Sequence, residues 1–340
     1  MSSCWPAGSV TGLGSLPGTD RVESTRLVFG ELPELPHLPE LPERGVGADL
    51  IGRTAGLLVD LPVEVVPSGW RITARPGRDV RRARDILSWD LDTLEEQAAG
   101  YTGALKIQVA GPWTLAAGLE VPSGHRVVSD HGATRDLAES LAAGLRAHLE
   151  DLARRVPAAT LIVQVDEPSL LAVLGGRVAT PSGYGTVPAR DASVIEQHLR
   201  SVLMVAPEGA RVVHCCAADV PIALLRAAGA DALAVDAALL ESGQYDALGE
   251  AVEAGMSLWL GVLPAVDAPV SFVAARAGIR RLWSALGFAP GQLAETVVPT
   301  PSCGLAGATP PHVRRVLAVL RDVGRDLVDP LERPSADLDG

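Results

Sequence analysis

Cysteine is scarce in this chain: four in 340 residues, at Cys4, Cys215, Cys216 and Cys303, too few to frame so long a sequence with disulfides. Long apolar runs are missing too, because Arg, Asp, Glu or Gly interrupts every alanine- and leucine-rich stretch before it reaches membrane-spanning length. Basic charge is also short. With 29 Lys and Arg against 41 Asp and Glu, the formal charge of −12 disfavours nucleic acid and anionic membrane as partners and favours small ligands. The opening MSSCWPAGS has no basic stretch followed by an apolar one, so a cytoplasmic location is expected. Core-forming residues are plentiful: at 47 % hydrophobic and 21 % charged, the chain needs neither disulfide nor metal merely to fold.

Short apolar runs ending in turn residues alternate with longer helical patterns, the rhythm of βα units. The expected strands are Ser9–Leu16, Leu27–Glu31, Leu105–Val109, Thr160–Val165, Arg211–His214, Ala232–Val235, Ser257–Val262 and Ala294–Val298. Eight of them predict an α/β chain closed as a single-domain TIM (β/α)8 barrel over residues 8–328, with a flexible acidic tail at 329–340. A 3.6-residue apolar period predicts helices over Ser88–Ala99, Thr134–Arg155, Asp191–Met204, Pro221–Ala228, Tyr245–Ala254, Val270–Leu286 and Pro310–Val328, the last with Thr309 as its cap. The quasi-repeat ELPELPHLPELPE, from Glu31 to Glu43, reads as an extended loop packed over the body, because its prolines lack ladder donors. After the second strand region, Leu61–Gly77 reads as an inserted hairpin, Val63–Val66 with Trp70–Thr73, or an irregular flap.

In a parallel barrel the residues just after the strands converge on one mouth. Ser15, Asp166 with Glu167, His214 with Cys216, Asp236 and Cys303 all stand at such ends. His214 and Cys216 form an H-x-C pair whose side chains point the same way on an extended segment, and Cys303 can join them. Two thiolates and an imidazole suit Zn2+, with Asp236 the nearest candidate carboxylate for a fourth position. Two other readings stay open: cysteines as small buried hydrophobes with a core histidine, and a Cys-His nucleophile. In QVDEP, successive carboxylates point differently, so one of Asp166 and Glu167 can bind a ligand while the other pairs with an arginine or caps amides. A thiol ionised at the metal, its ammonium held by Asp166, would be an S-methylation site.

Taken in order, GSLP (Gly14–Pro17), QVDEP (Gln164–Pro168), HCC (His214–Cys216) and PSCGL (Pro301–Leu305) resemble the C-terminal catalytic half of cobalamin-independent methionine synthases, within a group that includes uroporphyrinogen decarboxylase-like barrels. The resemblance runs from about residue 8 to residue 328. It implies a zinc-dependent methyltransferase acting on homocysteine or a related thiol, with His214, Cys216 and Cys303 as metal ligands and catalytic residues beside Asp166. Asp236, or else Glu241, falls closest to the family's glutamate ligand. Ser15, Asp166, Glu167 and Trp113 are the expected substrate-binding residues, and Gly111–Thr114 would shape the mouth near Lys106. Some features depart from the family: Asp49, Leu50, Ile51 and Gly52 replace its D-M-V-E, losing a substrate-facing glutamate, and GVLPAVD (Gly261–Asp267) lacks its histidine. The methyl donor is open between methyltetrahydrofolate and a methyl-corrinoid protein. The competing expectations are a decarboxylase using Arg53, Arg71 and Arg78, and a non-catalytic zinc- or thiol-binding protein.

Overall fold

A computed structural model describes residues 4–329; the expected tail lies, from residue 330 on, outside the described residues. Six parallel strands form one curled sheet in the spatial order Val297–Pro301, Ser257–Leu263, Ala232–Asp236, Arg211–His214, Thr160–Asp166 and Ala104–Ala110. Two irregular segments continue it. Near the 297–301 edge, Thr11 N–H donates to Pro299 O (3.4 Å), while parallel bridges join Ser15 to Glu40 and His37 to Lys106. The wall thereby closes as a TIM-like barrel, as the eight-unit rhythm predicts.

Period-two alternation assigns the barrel's two faces. Leu105, Ile107, Val163, Val165, Val213, Leu233 and Leu258 belong to the large core under the helices, whereas Ala104, Ile162, Val212, Ala232, Ala234, Trp259 and Val298 cluster with Trp5 and Leu13. Trp5 meets Trp259 edge-on at 5.2 Å. Along the inward columns the chemistry changes from apolar to polar: Lys106 and Gln108 follow Ala104, and Gln164 and Asp166 follow Ile162.

Several expectations are corrected. Leu27–Glu31 is no strand but the end of the helix Arg21–Glu31, which Asp20 starts by accepting from Val22 N–H and Glu23 N–H; Ser24, Thr25 and Val28 are buried at helical spacing. The last strand is Val297–Pro301, because residues 293–296 make a helical turn. The proline-rich stretch does not lie over the body. It occupies the wall itself, with Leu35, Leu38 and Leu41 buried, Leu38 N–H donating to Lys106 O and Glu40 N–H to Gly14 O. The donors used belong to Leu38 and Glu40, so the prolines cost the ladder nothing. Thr309 does not cap the last helix through its side chain; its N–H and hydroxyl both donate to Asp267 (2.7 and 2.6 Å).

The inserted hairpin pairs Val63–Val66 with Gly69–Ile72. Its Trp70 indole donates to Asp49 (3.2 Å), and the ring sits so close to Gly52 that a Cβ there would lie 2.4 Å from Trp70 Cζ2. No side chain fits at position 52 under this indole.

Candidate metal and thiol site

Strand register brings the first site residues together. Asp166 pairs with His214 across the Thr160–Asp166 and Arg211–His214 strands, so the two side chains emerge side by side at the mouth. His214 Nδ1–H donates to Asp166 Oδ1 at 2.8 Å, and the same oxygen accepts from Gln164 Nε2 at 2.7 Å. Lys106 Nζ donates to Gln164 Oε1 (2.7 Å) and to Gln108 Oε1 (2.9 Å). A continuous polar chain thus runs from the buried ammonium to the imidazole. Burial lowers the Lys106 pKa to about 7, against the opposing pull of Asp166 and Glu40.

His214, Cys216 and Cys303 offer ligand atoms that all lie within 4.8 Å of one another, and the two sulfurs are 3.2 Å apart. With Nδ1 committed to Asp166, His214 Nε2 is buried and, among the described residues, has no hydrogen-bond partner of normal geometry, only the electrostatic pull of the nearby Cys303 sulfur. An orphaned imidazole nitrogen aimed into a pair of thiols, its ring fixed by a carboxylate, is the arrangement of a metal-ligating histidine. Electrostatics agree. The hydrogen bond with Cys216 lowers the Cys303 pKa to about 4 against the effect of burial, His214 adds to the shift, and the Cys216 thiol is pushed up. Burial disfavours charge on His214, but the Asp166 hydrogen bond and Cys303 outweigh it and raise its pKa to about 9.

These groups line a cavity of about 190 Å3 together with Ser15, Glu40, Gly304 and the apolar Leu13, Leu50 and Pro168. That volume is below the roughly 300–1,000 Å3 of pockets for drug-sized ligands, and suits an amino-acid-sized molecule. A larger cavity of about 900 Å3, between Pro6, Leu32, Phe272 and Arg325, has no metal-ligating cluster among the described residues. Size alone does not locate the chemistry.

The other expected residues divide. Ser15 reaches the cavity, where Gly304 makes room for it: a Cβ at Gly304 would lie 2.1 Å from Ser15 Oγ. Asp236 is not brought into the ligand group; its Oδ1 accepts from Ala238 N–H at 2.9 Å. Burial raises its pKa, with Cys303 adding to the effect. Glu241 is exposed and closes a capping box with Gln244. Glu167 is spent on architecture. Buried, it accepts from Trp113 N–H (3.0 Å), Thr114 N–H (2.8 Å) and the Thr114 hydroxyl (2.7 Å), holding the start of the helix Pro112–Gly118. Trp113 donates to Ile195 O (3.0 Å), stacks on His198 and does not line the cavity. The arginines needed by a decarboxylase are already paired or exposed: Arg53 with Asp90 (2.7 Å), Arg71 with Glu120 (2.6 Å), and Arg78 on the surface.

Gly111 makes Glu167's position possible, since a Cβ there would stand 2.2 Å from Glu167 Oε1. Gly111→Ala is therefore expected to destabilise the fold by about 1–3 kcal/mol through overpacking and a displaced buried carboxylate, read as a lower urea midpoint at unchanged slope.

Three participants are absent from the expected set: Glu40, Gln108 and Gln164. The glutamines had a signal, since polar residues at period two inside apolar strands mark an inward column; Glu40 was hidden in a stretch whose prolines read as loop.

The solved structures include a B12-independent methionine synthase from Shewanella sp. W3-18-1 in complex with selenomethionine, similar at 12 % identity with a TM-score of 0.61, covering 95 % of this chain and 98 % of that one. A Streptomyces cattleya GH5_18 structure (13 % identity, TM-score 0.45, 98 % and 83 % covered) and a Cellulomonas fimi endo-beta-1,4-mannanase double mutant (12 %, 0.43, 74 % and 60 %) follow at lower similarity. Among curated proteins nothing matches. Among the described residues no helix is long and apolar enough to cross a membrane. The family model for the catalytic domain of cobalamin-independent synthase matches residues 9–326, and the chain therefore belongs to that family of methyltransferases, as its motifs led one to expect.

Proposed function

We propose that the chain is a zinc-dependent methyltransferase whose acceptor is the thiol of homocysteine or a close relative. The observation that supports this most directly is the buried His214 Nε2, which among the described residues has no hydrogen-bond partner of normal geometry and stands beside the Cys216 and Cys303 sulfurs. Zinc held by these three residues would supply a Lewis-acidic position at which a thiol loses its proton near neutral pH. Around it, this chain's own groups bind and orient. Asp166 fixes the imidazole through Oδ1 and presents its other oxygen to the amino group of the acceptor; Ser15 stands where it can meet the rest of the amino-acid moiety. Apolar Leu13, Leu50 and Pro168 exclude water from the methylenes. In the transfer itself the acceptor sulfur forms the new S–C bond, and the donor keeps the electron pair of the bond it loses.

The donor is a separate matter. Nothing in a cavity of about 190 Å3 accommodates a folate, so methyltetrahydrofolate or a methyl-corrinoid protein would present its methyl group from outside the mouth. Zinc-edge X-ray absorption on protein loaded with one zinc per chain should gain a sulfur neighbour when homocysteine is added. An unchanged sulfur shell would overturn thiol activation at this site.

A further inference from the structure

The proposed reaction leaves one buried cationic side chain without a part. Lys106 is fully buried inside the barrel, yet among the described residues no carboxylate is in ion-pair contact with its Nζ. Both of its acceptors are neutral amide oxygens, Gln108 Oε1 at 2.9 Å and Gln164 Oε1 at 2.7 Å. An ammonium taken out of water and held only by amides works against the stability of the fold, and an apolar residue would fill the same place at less cost. Stability does not account for it.

What the ammonium does is remove choice from the hydrogen bonds around it. It can only donate, so each glutamine must turn Oε1 toward it and Nε2 away. Gln164 Nε2 then donates to Leu13 O (3.0 Å) and Asp166 Oδ1 (2.7 Å), while Gln108 Nε2 donates to Leu38 O (2.8 Å) and, at longer range, to Glu40 Oε1 (3.4 Å). The two branches match. Each glutamine gives one amide proton to a carbonyl of an irregular wall segment and the other to a carboxylate that lines the cavity. On the first branch the order continues, because an Asp166 oxygen that only accepts takes its second hydrogen bond from His214 Nδ1, and the ring then has Nε2 beside the Cys216 and Cys303 sulfurs. Without a donor at position 106 that order is lost. An overturned amide would set Gln164 Oε1 against Asp166 Oδ1, and a carboxylate driven from its place no longer fixes the imidazole.

We propose that Lys106 is a positioning residue of the metal site: from beneath the cavity it fixes the direction of the hydrogen bonds that reach Asp166, and through Asp166 it holds His214 with Nε2 free to coordinate. This rests on the zinc reading above. The lysine touches neither metal nor acceptor and acts across three hydrogen bonds, through Gln164, Asp166 and His214 in turn.

Zinc titration in competition with a chromophoric chelator tests this, with the urea midpoint measured alongside. Lys106→Met is expected to bind zinc about 10–100-fold more weakly than the wild type, the loss typical when the group orienting a metal-bound histidine is disturbed. Lys106→Gln separates positioning from packing. Its amide can satisfy the two buried glutamines, so the urea midpoint should be kept, but it can present either atom and dictates no order, so zinc affinity should still fall severalfold. When Lys106→Met is added to Gln164→Leu, the loss should be no greater than that of Gln164→Leu alone, because the lysine reaches the site only through that amide. Wild-type zinc affinity in Lys106→Gln, or losses that add in the double variant, overturns the role of Lys106 alone, and the glutamine variant decides the matter if Lys106→Met does not fold. A wild type that takes up no zinc overturns the zinc reading, and the positioning role with it.

Discussion

Replacing Cys303 by serine is expected to take the protein from about one zinc per chain to almost none and to abolish methyl transfer. The cysteine comes from the loop after the Val297–Pro301 strand, whereas His214 and Cys216 come from one strand end, so Cys303 alone closes the site from the far side. A serine hydroxyl is a harder and far less acidic donor than a thiol whose pKa its surroundings already lower to about 4. Two protein ligands do not make a zinc site of useful affinity. The fold should survive, because the hydrophobic core does not include this residue. Metal analysis after dialysis, with circular dichroism alongside, checks both halves; full zinc retention would remove Cys303 from the ligand set.

Asp166→Asn should injure the site in two separable ways. The carboxylate orients His214 through its Nδ1, and losing such a partner typically costs on the order of 10–100-fold in metal affinity or activity. At saturating zinc a second loss should remain, because an amide holds an ammonium less well than a carboxylate: a charge-assisted bond of about 1.5–3 kcal/mol corresponds to at least a tenfold rise in the homocysteine KM. An asparagine can also present its amide nitrogen to Gln164 or His214, breaking the donor order that runs from Lys106. Titrating zinc at fixed homocysteine, then homocysteine at fixed zinc, separates the two. A KM unchanged at saturating zinc would confine Asp166 to orienting the histidine.

Residues whose placement follows from strand periodicity were readable without coordinates. Asp166, His214, Cys216 and Cys303 come together because parallel strands end at one mouth, and H-x-C on an extended chain points both side chains one way. The division of labour between Asp166 and Glu167 was readable only as an alternation. Which neighbour faces inward depends on register with His214, a long-range property. Asp267 closing the last helix in place of Thr309 is long-range too, joining residues 42 apart. Leu27–Glu31 misled because four apolar or small residues look alike in a strand and in a helix seen edge-on, and only the cap at Asp20 separates them. Glu40 was lost for the opposite reason. Proline signals loop when it stands where a ladder needs a donor, and here the ladder takes its donors between the prolines.

The same wall has a consequence for how the chain finds its fold. Leu32, Leu35, Leu38 and Leu41 recur every three residues and are all buried, so a slip of three along ELPELPHLPELPE returns a leucine to nearly every leucine site and again sets no proline where Leu38 and Glu40 donate. Apolar burial therefore barely distinguishes the native alignment from its neighbours. Discrimination falls to the one irregular unit of the repeat. His37 fits against Gly12, where a Cβ would come within 2.4 Å of its ring, and only when it does so does Glu40 arrive beside Ser15. His37 thus acts as the index pin of the barrel: a slip one way would set His37 itself at the cavity, and a slip the other way would bring Glu43 there but force Glu40 into the place where the imidazole fits Gly12.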